Sequence, residues 1–249
     1  MTHSALFLSP HLDDVAFSCG GTLIRLVEEG WDVCLCTVFT ASVLNPSGFA
    51  LACQLDKGLS PDVDYMALRR AEDQEFARLA GLLRCLHLPY PEAPHRGYQS
   101  APDLFAGIHK ADEIGREIAA DLETLVPTFE YIFAPAGIGN HVDHLQTILA
   151  ITEARGAARC RWYRDTPYAI RNPDAPASAL LPDALTTCES PIDIYRKTEA
   201  CFAYTTQIPF QFGGEAELRS KLQSFHRRGK GFFESLYAGR HCHTEQMRS

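Results

Sequence analysis

The strongest constraint in the sequence is an alternation. Short apolar runs at 5–8, 32–39, 84–88 and 131–134 are separated by stretches whose apolar residues recur at helical spacing. Pro10, Pro89 and Pro135 stop three of the runs, because proline has no N–H to give to a sheet ladder. Leu23, Ile24, Leu26 and Val27 form a helical stripe before Gly30. Met66, Ala67, Phe76 and Leu79 mark a second over 66–79, ended by Gly81. The pattern returns at 114–126 and at 141–154, the last with Leu145, Ile148, Leu149 and Ile151 as its buried side. Such repetition predicts βαβ units: an α/β fold with a mostly parallel sheet flanked by helices in three layers. The 249 residues suffice for one such domain and are few for two. No boundary signal interrupts 1–249, so a single domain is expected.

Composition removes several classes of function. Hydrophobic residues make up 46% and charged residues 22% of the chain, which excludes wholesale disorder. A net charge of −8 argues against nucleic-acid binding through a broad basic face. No apolar run approaches the roughly 18 residues of a membrane span, and residues 1–4 lack the features of a signal peptide. Nine cysteines without a CxxC pair read as reduced, mostly buried thiols, so a cytoplasmic location is expected. Whether the chain forms a homo-oligomer stays open.

Ligands of parallel sheets bind beyond the carboxyl ends of the strands. Two motifs lie there. His11-Leu12-Asp13-Asp14 follows the first run, and His141-Val142-Asp143-His144 follows the fourth. Each has a plain reading alone: Asp14 as a turn or cap residue, and Asn140 as an N-cap that makes Asp143 the third helical residue. At matching positions they supply three histidines and three aspartates. An imidazole–imidazole–carboxylate set with an open position is the usual layout of a catalytic divalent-metal site.

These motifs, with Arg69-Arg70-Ala71-Glu72, 165–169 (DTPYA) and 197–207 (KTEACFAYTTQ), resemble the LmbE-like/PIG-L family of zinc-dependent N-deacetylases from Leu6 to about Tyr237. The resemblance implies a Rossmann-like domain with His11, Asp14 and His144 as zinc ligands and Asp13 as general base. His141 would be a second acid/base group and oxyanion stabiliser, Asp143 would tune that pair, and Arg69 would contact substrate. The implied substrate is a small N-acyl amino-sugar conjugate such as an N-acetylglucosamine derivative. Three positions depart from the family pattern: Leu12 replaces a common proline, Val15 a frequent acid, and Gly139 a tyrosine that in some members assists the oxyanion.

Rival readings are a metal-dependent amidase acting on a larger thiol–sugar or natural-product amide, and a non-catalytic metal-containing binding protein. Iron(II) competes with zinc, because two histidines and a carboxylate also form a facial triad. Other features read as follows. Segments 45–64 and 89–102 are long loops, a type that often lines a substrate site. Gly20-Gly21 allows close backbone approach to a ligand or to the sheet. Cys34 and Cys36 share one core face, Tyr98 and Phe105 are candidate sugar-stacking rings, and His87 and His109 are structural or exposed. His226 joins Arg227, Arg228 and Lys230 in a small basic patch, and His241-Cys242-His243 belongs to a frayed tail.

Overall fold

The structure, a computed structural model, describes residues 2–239. The 241–243 motif lies outside the described residues. The elements are β1 (Ser4–Ser9), α1 (Asp14–Glu28), β2 (Asp32–Thr37), α2 (Gly48–Leu55), α3 (Tyr65–Ala80), β3 (Arg84–His87), α4 (Ile114–Leu125), β4 (Tyr131–Pro135) and α5 (Val142–Glu153), followed by β5 (Cys160–Tyr163), α6 (Tyr168–Arg171), β6 (Leu185–Pro191), α7 (Ile194–Cys201), α8 (Ile208–Phe212), α9 (Glu215–His226), β7 (Arg227–Arg228) and β8 (Gly231–Gly239).

The sheet order is β3-β2-β1-β4-β5-β8-β6, with β7 paired to β8. The pairs from β3 to β5 are parallel, and β8 and β6 close the far side antiparallel. Chain order reverses between β1 and β4, and a crevice opens there beyond the strand ends. Ala5, Leu6, Phe7 and Leu8 are all fully buried, as expected of a central parallel strand covered on both faces. One apolar cluster gathers Phe7, Phe17, Leu35, Phe76 and Tyr204 on one face, and a second gathers Leu8, Cys34, Cys36, Ile118, Ile148 and Trp162 on the other. The three-layer expectation therefore holds. Among the described residues no helix is long and apolar enough to cross a membrane.

Three readings need correction. Segment 45–64 is not all loop, since α2 lies within it; its glycine start and short apolar stretch gave no amphipathic period. Tyr98 is fully buried, stacked on His109 at 4.0 Å, and is not a lining residue. His226 is buried rather than part of a surface patch.

His226 belongs to a polar cluster that anchors the C-terminal third under α1. The Nζ of fully buried Lys197 donates to Phe17 O at 2.8 Å and to Glu234 Oε1 at 2.8 Å, and lies 3.0 Å from His226 Nε2. An ammonium only donates, so His226 Nε2 accepts and its Nδ1–H reaches Phe233 O at 3.1 Å. Glu234 in turn accepts the backbone N–H of Gly21 at 3.0 Å and of Thr22 at 2.7 Å. A Cβ at Gly21 would stand 2.8 Å from Ile192. The glycine pair therefore serves close packing of α1, not a cofactor.

Burial and the Lys197 ammonium hold the His226 pKa well below the ordinary histidine range. Folded His226 stays neutral while the unfolded chain takes up a proton below about pH 6.5. Acidification through that range therefore favours unfolding, by up to about 1.4 kcal/mol per pH unit, or roughly 3 °C. Thermal melts between pH 7.5 and 5.5 should show a smaller acid loss in His226→Gln than in the wild-type chain; parallel losses would remove His226 from the account.

Candidate active site

The crevice between β1 and β4 receives side chains from three strand ends. After β1, the Ser9 hydroxyl donates to His11 O at 2.7 Å and accepts the Val15 N–H at 3.1 Å. This tight turn projects His11, Asp13 and Asp14 from adjoining positions. Asp13 adopts φ 157° and ψ −25°, an unusual conformation for a residue with a Cβ. After β4, Asn140 takes a left-handed φ of 61° and His141 is the N-cap of α5. This corrects the capping expectation: the helix starts one residue later, and Asp143 is its second residue. His141 Nδ1 accepts the Asp143 N–H at 3.2 Å.

Two imidazoles converge on one carboxylate oxygen. Asp14 Oδ2 lies 3.1 Å from His11 Nδ1 and 3.2 Å from His144 Nε2. The opposite ring nitrogens are already engaged: His11 Nε2 lies 2.9 Å from Asp143 Oδ2, and His144 Nδ1 lies 2.6 Å from Asp165 Oδ1. If those nitrogens carry the ring protons, each neutral ring aims a lone pair at Asp14, and His144 Nε2 has no hydrogen-bond partner. Lone pairs and a carboxylate oxygen meet stably only around a positive charge. Without a metal, protons provide it. Burial alone would lower the His144 pKa, but Asp14 and Asp165 outweigh it and push it up to about 9. His11 is raised likewise against its burial by Asp14 and Asp143. Burial would raise Asp14, and His144 and His11 instead hold it well below the carboxylate range. A divalent cation fits the same point, with each histidine oriented by a carboxylate behind it. Ligand atoms of His11, His141 and His144 also lie within 4.8 Å of one another.

Asp13 sits apart from this knot. Burial, opposed mainly by Arg69, raises its pKa to about 7. Its Oδ1 is 3.7 Å from Arg69 NH2, and its buried Oδ2 has no hydrogen-bond partner. Arg69 also pairs with Glu92 and donates to Leu12 O at 3.3 Å. His141 is held neutral: burial, then the neighbouring His11, bring it down to about 3. Asp143 is held below the carboxylate range, because His11 and Arg96 override its burial. Arg96 NH1 lies 2.8 Å from Asp143 Oδ1, and the Ala93 N–H donates to Oδ2 at 3.1 Å.

All six motif residues and Arg69 thus gather at one place. A cavity of about 320 Å³ opens over them, lined in part by Phe49, Lys57, Phe105, Tyr168, Gln207 and Phe210. The two segments expected to border a site do so, through Phe49, Cys53 and Lys57 from 45–64 and Glu92 and Pro94 from 89–102.

A family model described as PIG-L: GlcNAc-PI de-N-acetylase matches residues 6–155. The chain belongs to the PIG-L family. It is 34% identical to a 2′-N-acetylparomamine deacetylase of Streptomyces fradiae over 66% of this chain and 57% of that protein. Identity is 29% to a 2′-N-acetylparomamine deacetylase of Niallia circulans over 86% of this chain and 84% of that one. The crystal structure of the A40926 pseudoaglycone deacetylase superposes with a TM-score of 0.78 at 29% identity, covering 94% of this chain and 96% of that one.

Two further residues gain significance among the PIG-L features. Asp165 follows β5 and backs His144, and its other oxygen accepts the Ile138 N–H at 2.9 Å. In the sequence the signal for Asp165 is its position just past a strand end, within 165–169. Tyr168 packs over Gly139, where an added Cβ would stand 2.9 Å from its ring. The weaker family segments prove to be one contact: Glu72 accepts the Thr206 N–H at 2.7 Å, and Asp73 accepts the Tyr204 hydroxyl at 2.6 Å.

Asp165→Asn should weaken divalent-metal affinity about 10- to 100-fold, the usual cost of losing a carboxylate behind a ligating histidine. Chelator competition measures this directly, and unchanged affinity would mean that Asp165 does not orient a ligand.

Proposed function

We propose that the protein is a zinc-dependent N-deacetylase of small amino-sugar conjugates, with 1–249 acting as one domain. The observation that supports it best is the paired imidazoles facing Asp14 beside a separate, partnerless carboxylate oxygen of Asp13. In this reading His11, Asp14 and His144 hold the ion. When bound, the ion supplies Lewis acidity, polarising the amide carbonyl and acidifying the attacking water.

The chain's own groups do the rest. Asp13 Oδ2 takes the proton of the attacking water. With a pKa raised to about 7, Asp13 can hold that proton and then release it to the departing amine nitrogen. Arg69 keeps the Asp13 carboxylate oriented from 3.7 Å and stands at the cavity wall for substrate contact. His141 spends Nδ1 on the Asp143 N–H, so its Nε2 carries hydrogen and donates to the developing oxyanion. This changes its expected part from acid to neutral donor. Asp143 fixes the His11 ring. Tyr168 stands where the side chain absent at Gly139 would have been, and its hydroxyl is the second oxyanion donor we assign.

The cavity wall and the relatives support the proposed substrate class. Phe49, Phe105, Tyr168 and Phe210 offer faces for sugar rings, and Gln207, Gln211 and Arg171 offer hydrogen bonds to hydroxyls. Both curated relatives are 2′-N-acetylparomamine deacetylases, which makes that compound the first substrate to try. Cys19, Cys34, Cys36, Cys53, Cys85 and Cys201 are free thiols, which supports a reducing compartment such as the cytoplasm.

Protein stripped with chelator and reconstituted with one equivalent of Zn²⁺ or Fe²⁺ should release acetate from 2′-N-acetylparomamine or an N-acetylglucosamine conjugate, with zinc the more active. A longer acid as product would select the amidase reading, and no release from any amide would defeat the proposal. Asp13→Asn should retain the metal and lose about 10²- to 10⁴-fold in kcat. Tyr168→Phe should lower kcat about 10- to 100-fold with metal content unchanged, somewhat less than full loss of an oxyanion donor because His141 remains. An unaffected kcat would return Tyr168 to a packing role.

A further inference from the structure

A second cluster of metal-ligating side chains lies at the sheet edge and shares no residue with the centre at His11. Cys85 and His87 are two apart on β3, so their side chains leave the same face. Asp73 meets them from α3. Cys85 Sγ is 3.7 Å from His87 Nε2 and 3.8 Å from Asp73 Oδ2, and His87 Nε2 is 2.9 Å from the same oxygen. The three form a group with ligand atoms all within 4.8 Å.

We propose that Asp73, Cys85 and His87 form a second cation site for ions of the zinc class. Two arguments support it. Tetrahedral zinc, with bonds of about 2.3 Å to sulfur and about 2.0 Å to nitrogen or oxygen, separates its donors by about 3.3–3.6 Å. Each measured separation lies within about 0.5 Å of such an edge, so one modest adjustment admits the ion. The second argument is crowding. The Thr37 hydroxyl also donates to Asp73 Oδ2, at 2.9 Å, so three donors compete for one oxygen with two lone pairs. A cation in place of the thiol and imidazole protons relieves this. Asp73 Oδ1 is fixed by the Tyr204 hydroxyl, so the carboxylate is held in place.

Access and proton balance are consistent. β3 is an edge strand, Cys85 is half-buried, and the His87 side chain is 13% exposed. On binding, Cys85 loses its thiol proton to solvent, the His87 ring proton shifts from Nε2 to Nδ1 so that Nε2 offers its lone pair, and a water completes the fourth position. Burial and the Asp73 carboxylate raise the Cys85 thiol above its ordinary range, so uptake should tighten as pH rises. Arg69 and Asp73 are four residues apart on one face of α3, one turn separating the second site from the arginine at Asp13.

Co²⁺ is the probe, added to chelator-stripped protein in a Cys242→Ser background that removes the tail thiol. Two ions per chain are expected, one giving a near-ultraviolet thiolate-to-cobalt absorption band. Cys85→Ser and His87→Gln should each bind one ion without the band. His144→Ala, which lacks the centre of the proposed deacetylase, should bind one ion with it, so the two readings fail independently. One ion per chain without the band, or a band that survives in Cys85→Ser, would overturn the second site.

Discussion

Everything at the crevice depends on one oxygen of Asp14 lying between two imidazole nitrogens. Buried charge is costly, and an unpaired buried carboxylate costs several kcal/mol. The fold meets part of that cost with the His11 backbone N–H, which donates to Asp14 Oδ2 at 2.8 Å, and the rest with two imidazoles that become favourable partners when positive charge is present. Asp143 and Asp165 stand behind the rings and make the demand stricter, because they commit the far nitrogens. Protons and a divalent ion compete for the same place, so metal uptake must expel protons. Carboxylates frame the site, and the sheet's reversal between β1 and β4 is what lets two distant chain segments frame it.

Adjacent carboxylates then diverge in character. Asp14 faces two imidazoles and stays ionised, while Asp13 faces one arginine across 3.7 Å and is dominated by its burial. One dipeptide thus supplies a permanent anion and a group able to exchange a proton near neutrality, the separation of roles that acid–base catalysis needs. The turn that achieves it holds Asp13 in a sparsely populated backbone conformation. Far below, Lys197 and Glu234 fasten α1 through Phe17 O and the Gly21 and Thr22 N–H groups. The helix that begins with Asp14 is therefore tied to the last third of the chain.

The fold and the centre were legible in sequence to different depths. Apolar runs ended by proline mark β1 and β4 because central parallel strands are buried on both faces, the same proline stop marks the edge strand β3, and site residues follow from strand ends. The six motif residues could be named because their chemistry is crowded into two short stretches, and Arg69 only because its segment resembles the family's. What lay beyond reach depended on tertiary pairing. Asp165 is one acid among many until His144 is seen against it. Glu72 and Asp73 look like surface acids of α3, yet they receive Thr206 and Tyr204 from a segment some 130 residues away. α2 carries no amphipathic period that would mark it, Gln54 being its buried residue. Three neighbouring basic residues suggest solvent for His226, whereas the buried Lys197 holds it inside.

The packing of Tyr168 over Gly139 has an evolutionary corollary. Both positions draw on a single parcel of space, so a bulky group can enter from the loop after β4 or from the helix after β5, but not from both at once. Relatives with a ring at the first position should carry a slimmer residue at the second. An ancestral lineage could have exchanged one arrangement for the other only through an intermediate in which that parcel stood empty.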